Sequence, residues 1–325
     1  MILKKINYWK RIFQAYVLKK TSQLSFWHED PKVNRKFEKD SINQYYMTFH
    51  KKANYNDFLD KDGIPLLDYK GSIGLQYNPI AIAQWGLGNY NLWLDNRSMN
   101  NYDKFLRSAD WLVNNLEKND SGLKVWMHHF DFEYRDTLLS PWYSGLAQGQ
   151  GISLLIRALK ETNKDKYKIA IDEALEVFLK ETHQGGVNYT DSKNAKWIEE
   201  YIVSPPTHIL NGFIWALWGI YDYAIFFKDE NIKKLFHEYS STILDNLKSY
   251  DLGYWSIYEH CGKYLPMIAS LFYHKLHITQ LKIMFLITNE SDYDFYFNKW
   301  NNYLKNRFYI FISFLHKAFF KVLYY

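Results

Sequence analysis

The chain has 325 residues, 47% of them hydrophobic and 23% charged, an ordinary globular balance that excludes a disordered or low-complexity protein. Its net charge is +5 with histidine neutral, which suits a polyanionic partner, but no nucleic-acid motif accompanies it. The single cysteine, Cys261, excludes an internal disulfide and a multi-cysteine metal site and permits a reducing compartment.

The first twenty residues place Lys4, Lys5, Lys10, Arg11, Lys19 and Lys20 between Ile6, Trp9, Ile12, Phe13, Tyr16 and Val17. The pattern predicts a basic amphipathic helix over 5–20 that packs on its own domain or lies on an anionic membrane surface. The apolar run is too interrupted for a secretion signal, and no run of 18 apolar residues would span a membrane. The expected location is therefore cytoplasmic, or peripheral to the inner face of the membrane. Three- and four-residue apolar spacing then predicts helices over 38–52, 79–94, 101–117, 145–162, 165–181, 206–228, 230–247, 264–288 (whole or broken) and 291–322. Loops fall at Asp62-Gly63, Gly71 to Gly74, Asp120 to Gly122, Gly185-Gly186 and Asp251 to Gly253.

These helices are of two kinds. Segment 165–181 has one apolar stripe and one charged face, whereas 206–228 (PTHILNGFIWALWGIYDYAIFFK) is apolar nearly all round. Outer and inner helices together predict an all-α fold, an α/α barrel (toroid) of helical hairpins with no separate β-domain. The expected partition is an N-terminal helical extension over 1–60, a barrel over 61–290, and a helix packed on it over 291–325. Asn78-Pro79, Ser140-Pro141 and Ser204-Pro205-Pro206 each read as the start of an inner helix. Polar side chains follow each start: Gln84, then Gln148 and Gln150, then His208 and Asn211, with Trp215 on the His208–Asn211 face. Buried amides need partners, so these either bond neighbouring helices or line a polar cup. The 12 Trp, 28 Tyr and 22 Phe fill a core or, in part, a carbohydrate groove, because sugars present apolar C–H faces to aromatic rings.

Four blocks carry a resemblance to a known family. GGV (185–187) with WIEEYIVSPPTHILNGFIWALWGIYDY (197–223), YNPIAIAQWGLGNY (77–90), PWYSGLAQGQGISLLIRA (141–158), and WSIYE (255–259) followed by YHKLHITQL (273–281) are similar to blocks of the D-glucuronyl 5-epimerases, which act on heparosan and heparan precursors. The resemblance implies an α/α barrel, no redox cofactor, and an acidic glucuronate-containing polysaccharide or oligosaccharide as partner; a homodimer is compatible with it. It implies that Glu200, Tyr201, Tyr258 and Tyr273 handle the proton at carbon 5, and that Asn211 contacts substrate. Trp215 stands where the animal enzymes have a tyrosine. The chain departs from the animal pattern in two places. Residues 95–140 are too few for the β-rich, metal-bearing domain found there, and Glu259, His260, Cys261 and Gly262 follow Ile-Tyr where the animal chains have Asp-Leu-Arg-His.

These residue types suit the chemistry. Removing the carbon 5 proton beside a carboxylate needs a strong base, donors aimed at the carboxylate, and an acid on the opposite ring face. Tyrosine, with a reference pKa of about 10, serves as base when ionised and as acid when neutral. Tyr273, His277 and Gln280 share one helical face; His277 could donate to the substrate carboxylate or be a core histidine, and His274 in the same motif joins the expected substrate contacts. Glu200 acts as a base or holds a sugar hydroxyl, with Glu199 as its alternative. Tyr143 and Ser144 would shape the groove. His128-His129 with Asp131 and Glu133 fits no common zinc spacing and reads as a structural loop, so no metal and no cofactor are expected. A polysaccharide lyase, a glycoside hydrolase on the same barrel, and a non-catalytic glycan-binding relative are the alternative functions.

Overall fold

The computed structural model describes residues 26–27, 29–134, 137–260 and 262–324. The helix expected over 5–20 and Cys261 lie outside the described residues. The chain divides into a larger unit, Asn34–His208 with Gly212–Thr242, and a smaller one, Met1–Val33, Ile209–Asn211 and Ile243–Tyr325.

The larger unit begins with a short helix α1 (His50–Ala53), then a two-stranded antiparallel pair, β1 (Leu67–Asp68) and β2 (Leu75–Gln76). Two helical pairs follow. α2 (Pro79–Asn96) packs on α3 (Met99–Asn114), and α4 (Gly145–Thr162) packs on α5 (Asp165–Leu175). Asn78 caps α2, its Oδ1 accepting from Ala81 N at 3.1 Å, with Pro79 in the first turn where its missing N–H costs nothing. Ser144 caps α4. Both helices stop at a left-handed residue, Arg97 (φ 56°) and Asn163 (φ 52°), which closes the last turn. α2 and α4 are buried continuously over Pro79–Asn91 and Gly145–Leu159, whereas α3 buries only Phe105, Ser108, Ala109 and Leu112. The inner and outer character read from the apolar pattern is present here. Against α4 lies α6 (Leu210–Phe227), so close that a methyl group on Gly149 would overlap the backbone of Ala216. α7 (Glu230–Asn246) follows α6.

The fold is mostly helical, not all-α. Between α3 and α4 run β3 (Leu116–Lys118), β4 (Lys124–His128), β5 (Phe132–Glu133), β6 (Thr137–Leu138) and β7 (Trp142–Tyr143). They form a three-stranded antiparallel sheet β3-β4-β7 and a hairpin β5-β6. β8 (Asn188–Thr190) pairs with β9 (Lys196–Ile198) between α5 and α6. Each long connection folds back on itself because its buried backbone groups need partners that no helix supplies. Among the described residues no sheet exceeds three strands.

Four helix expectations need correction, one of them 264–288, which is helical only from Leu271 because Met267–Ile268 pairs as a strand. Residues 38–52 are helical only from His50. Asp40 and Phe49 have φ of 58° and 49°, and Tyr45 N donates to Asn91 Oδ1 at 2.7 Å while Asn34 N donates to Tyr46 O at 2.8 Å. Long-range partners thus replace the helical ladder, and Tyr45 and Tyr46 are buried beside Trp218. The prolines at 141 and 205–206 do not open helices; α4 starts at Gly145 and α6 at Leu210, so His208, with φ 49°, precedes its helix. The segment 291–322 is two helices, as described below.

An ion pair lies in the core of the larger unit. Arg157 Nη1 donates to Asp222 Oδ2 at 2.7 Å, both side chains fully buried, and Asp222 Oδ1 accepts from Tyr46 OH at 2.5 Å. Arg157→Met keeps the volume but strands a buried carboxylate. It should cost roughly 3–5 kcal/mol, readable as a lower urea midpoint with unchanged slope; a loss under about 1 kcal/mol would mean that Asp222 is solvated on its own.

In the smaller unit, β10 (Ile257–Glu259) pairs with β11 (Met267–Ile268), and α8 (Leu271–Thr288) packs on α9 (Ser291–Lys305). Ser270 caps α8, its Oγ accepting from Tyr273 N. α10 (Arg307–Tyr324) begins after Asn306, whose extended backbone ends α9 and whose Oδ1 accepts from Phe308 N at 2.9 Å. That asparagine is the N-cap signal that splits 291–322.

Candidate active site

Glu199, Glu200 and Tyr201 follow β9 directly, and each has a distinct environment. Glu199 closes its own loop. Its Oε2 accepts from Thr207 N and His208 N, both at 3.1 Å, and its Oε1 meets His208 Nδ1 at 2.5 Å. The His208 ring stacks on Trp197 at 4.1 Å. Glu199 is therefore committed to holding the 199–208 turn, which separates it from its neighbour. Glu200 is 5% exposed and lies over Gly212 in the first turn of α6, so close that a methyl group there would overlap its carboxylate. Only glycine permits that approach, and a helix N-terminus favours an anion beside it.

Tyr201 sits in an aromatic cluster with Tyr134 (ring centroids 4.6 Å), Trp142 (5.7 Å) and Phe132 (6.0 Å). Trp142 in turn stacks on His128 at 3.8 Å and 3°. His128 Nδ1 donates to Trp142 O, and burial lowers its pKa to about 3. His129 pairs with Glu117 at 2.9 Å, and Asp131 accepts from Ser140 N at 2.9 Å. The His-His-Asp stretch thus serves three separate partners. Among the described residues no three His, Cys, Asp or Glu converge on a metal-sized site.

The remaining expected contacts of the larger unit divide by what their polar atoms do. Tyr143 OH donates to Gly185 O at 2.9 Å and Ser144 caps α4, so both hold backbone in place. Gln84 Nε2 donates to Gln150 Oε1 at 2.9 Å, linking α2 to α4. Both side-chain atoms of Gln148 and the Trp215 Nε1 are buried without a hydrogen-bond partner.

In the smaller unit, Tyr258 is the middle residue of β10. Ile257 pairs with Ile268 but Glu259 with Met267, so the register shifts at Tyr258, and such a bulge turns a side chain out of the ladder. Its ring lies 4.8 Å from that of Tyr273, at 59°, in the first turn of α8. Two of the four expected catalytic residues are thereby brought together.

Behind the tyrosines runs a hydrogen-bond chain that the sequence did not reveal. His274 Nε2 faces the Trp300 carbonyl at 3.2 Å and must donate to it. In a neutral ring, Nδ1 is then an acceptor, and it receives Ser256 N (3.3 Å) and Ser256 OH (2.7 Å). With its proton spent, Ser256 Oγ can only accept from His277 Nδ1 at 2.9 Å. His277 Nε2 is left as a lone pair, buried and without a partner. Burial lowers the His274 pKa to about 3 and that of His277 well below its usual value, with His274 adding to the latter. A neutral His277 thus offers an acceptor at Nε2, where the sequence left open a donor to a carboxylate or a core histidine. Farther along the same face, Gln280 Nε2 donates to Asn211 O at 2.9 Å, and the Gln280 carbonyl oxygen has no partner. Ser256 lies two residues before Tyr258, inside a block that the sequence singled out, but a lone serine gave no chemical signal.

Comparisons with known proteins agree with the resemblance. Residues 119–302 match the family described as D-glucuronyl C5-epimerase C-terminus. A D-glucuronyl C5-epimerase of Caenorhabditis elegans is 34% identical over 193 residues, covering 55% of this chain and 31% of that protein. An uncharacterized protein of Methanocaldococcus jannaschii is 28% identical over 198 residues, covering 60% and 63% respectively. The chain therefore spans less than two thirds of the length of either relative. The match takes in α4 to α8 and most of α9, the Glu199–Tyr201 turn and the Tyr258–Tyr273 pair, and it covers more than half of the sequence: the chain belongs to the D-glucuronyl C5-epimerase C-terminal family.

Proposed function

We propose that this chain is a uronic-acid 5-epimerase that converts D-glucuronate to L-iduronate residues within an acidic polysaccharide such as heparosan. The observation that supports this most is the Tyr258–Tyr273 pair, two phenols with ring centroids 4.8 Å apart, in a chain of this family. The reading takes 61–290 as the catalytic domain, an α/α barrel built on helical pairs like α2–α3 and α4–α5, flanked by 1–60 and by the helices of 291–325. It places the protein in the cytoplasm or at the inner face of the membrane; among the described residues no helix is long and apolar enough to cross one.

The carbon 5 proton of a glucuronate is acidified only by the neighbouring carboxylate, and its removal leaves charge spread onto that group. An ionised tyrosine takes the proton, and a neutral acid on the other ring face returns one. The pair is drawn from Tyr201, Tyr258, Tyr273 and Glu200. Asn211, Trp215, Gln84, Gln148, Tyr143, Ser144, His274 and His277 position the sugar or support the residues that do. The unspent polar atoms of Gln148, Trp215 and His277 suit sugar hydroxyls, which both donate and accept. A lyase would form the same carbanion and then expel the oxygen at carbon 4. Incubation with heparosan followed by disaccharide analysis separates the two: iduronate without ultraviolet absorbance is expected, and a product with an absorbing unsaturated ring would replace epimerase by lyase.

A further inference from the structure

The charge of this chain is segregated. Residues 1–28 hold six basic and no acidic side chains, and residues 295–325 hold five basic and no acidic ones. The 266 residues between them carry 29 basic and 35 acidic side chains, a net −6. All of the positive balance therefore belongs to two aromatic-rich ends.

Helix α10, in the second of these, is inverted with respect to an ordinary surface helix. Polar groups tie down its inner side. Lys317 Nζ donates to Ile268 O at 2.6 Å, and His316 Nε2 donates to Pro266 O at 2.8 Å while its Nδ1 accepts from Tyr254 OH. Tyr324 OH accepts from Leu265 N at 3.3 Å. The outward side is apolar: Phe308, Phe311, Leu315, Phe319, Val322 and Leu323 are all exposed, from 37% (Leu315) to 64% (Phe308). At steps of three, four, four and three from Phe308 to Val322 they form one stripe along the helix. Six large side chains on one face exceed the scattered apolar exposure normal for a soluble surface, and such a patch marks an interaction site.

We propose that α10 is a membrane-docking helix whose phenylalanine stripe enters the acyl boundary of an anionic lipid surface. Lys305 and Arg307 are exposed at the start of the helix beside Phe308. The chemistry of the stripe selects the occupant. It carries no hydroxyl, amide or indole to bond a sugar, so it is not a glycan platform. A second copy would bring like charges together, because residues 295–325 hold no acidic side chain. Anionic headgroups complement the charge, and Phe, Leu and Val suit hydrocarbon. At 18 residues, α10 is not apolar enough to cross the bilayer; it would lie in the interface. This inference does not rest on the proposed reaction.

The test is co-sedimentation of the full chain with vesicles of phosphatidylcholine alone or with about one third phosphatidylglycerol. Wild type should bind the anionic vesicles, weakly the neutral ones, and less as salt rises. The triple variant F308S/F311S/F319S changes only exposed positions and should keep its fold by circular dichroism while losing at least about tenfold in partitioning. Equal binding of wild type and variant would overturn the assignment to α10, and so would absence of wild-type binding. A wild-type dimer in analytical ultracentrifugation that the variant disperses, with no vesicle binding, would show the stripe to be a self-association face and would also overturn it.

Discussion

Tyr273→Phe should fold as the wild type does and lose about a hundred- to ten-thousand-fold of its carbon 5 proton exchange, the usual contribution of a general acid or base. The substitution removes one oxygen and keeps the ring that packs on Tyr258 and Phe272. The N-cap of α8 is untouched, because Ser270 accepts from the backbone N–H of Tyr273 and not from its side chain. A loss of activity with unchanged thermal stability therefore isolates chemistry. Tyr258→Phe, Tyr201→Phe and Glu200→Gln form the matching series, and at least two of the four should fall by a hundredfold or more if one group removes the proton and another returns it. Glu199→Gln is the control within the same turn: it weakens the clamp on Thr207 and His208 and should act through stability first. If all four variants kept near wild-type exchange on a substrate that the wild type turns over, the acid–base assignment would fail even with the fold unchanged.

Mild acid should destabilise this protein. His128 and His274 are buried in neutral form, each with a pKa lowered from 6.5 to about 3, chiefly by desolvation. His277 is displaced in the same direction. For each group the folded pKa lies below the unfolded one, so the unfolded chain binds the additional proton. Stability is complete above the unfolded value near 6.5 and is lost as pH falls toward 3. The slope is about 1.4 kcal/mol per pH unit for each histidine in that window. By pH 5, His128 and His274 together should have removed about 4 kcal/mol, with His277 adding to it. Set against a total stability of roughly 5–15 kcal/mol, that is a large share of it, so the urea midpoint should fall from pH 7 to pH 5, and fall less in a His128→Asn or His274→Asn variant that still folds. A urea midpoint that stays level from pH 7 to pH 5 would mean that these rings are already solvated or charged.

What could be read from the residues, and what could not, follows from how local the determining forces are. The span of α4 at 145–162 was legible because its apolar continuity acts within a few positions, whereas the helix start read at Ser140-Pro141 was not its start. The stretch 38–52 has the same periodicity but takes its backbone partners from Asn91 and from the Asn34–Tyr46 contact, neither visible in a window of fifteen residues. The break at Asn306 was present in the sequence as a capping asparagine before an apolar run, and the continuous periodicity on both sides masked it. The short hairpins around α4 and α6 arise from the closure of connections and carry little pattern of their own. Among the candidate residues, Tyr258 and Tyr273 were named from motifs, and the structure adds the bulge and the α8 cap that bring their rings together. Ser256 and the tautomers that it fixes needed three elements to meet, β10, α8 and the Trp300 carbonyl of α9. The choice between Glu199 and Glu200 likewise depended on a turn that only the folded backbone closes.

The most direct test of the central claim is incubation of the purified full chain with heparosan in deuterated water, followed by NMR of the polysaccharide. The account predicts deuterium at carbon 5 of the uronate and the appearance of iduronate signals, both abolished in Tyr273→Phe. A polysaccharide that comes back with hydrogen at carbon 5 and all uronate still in the gluco form, from a protein shown to be folded and to bind it, would contradict the account.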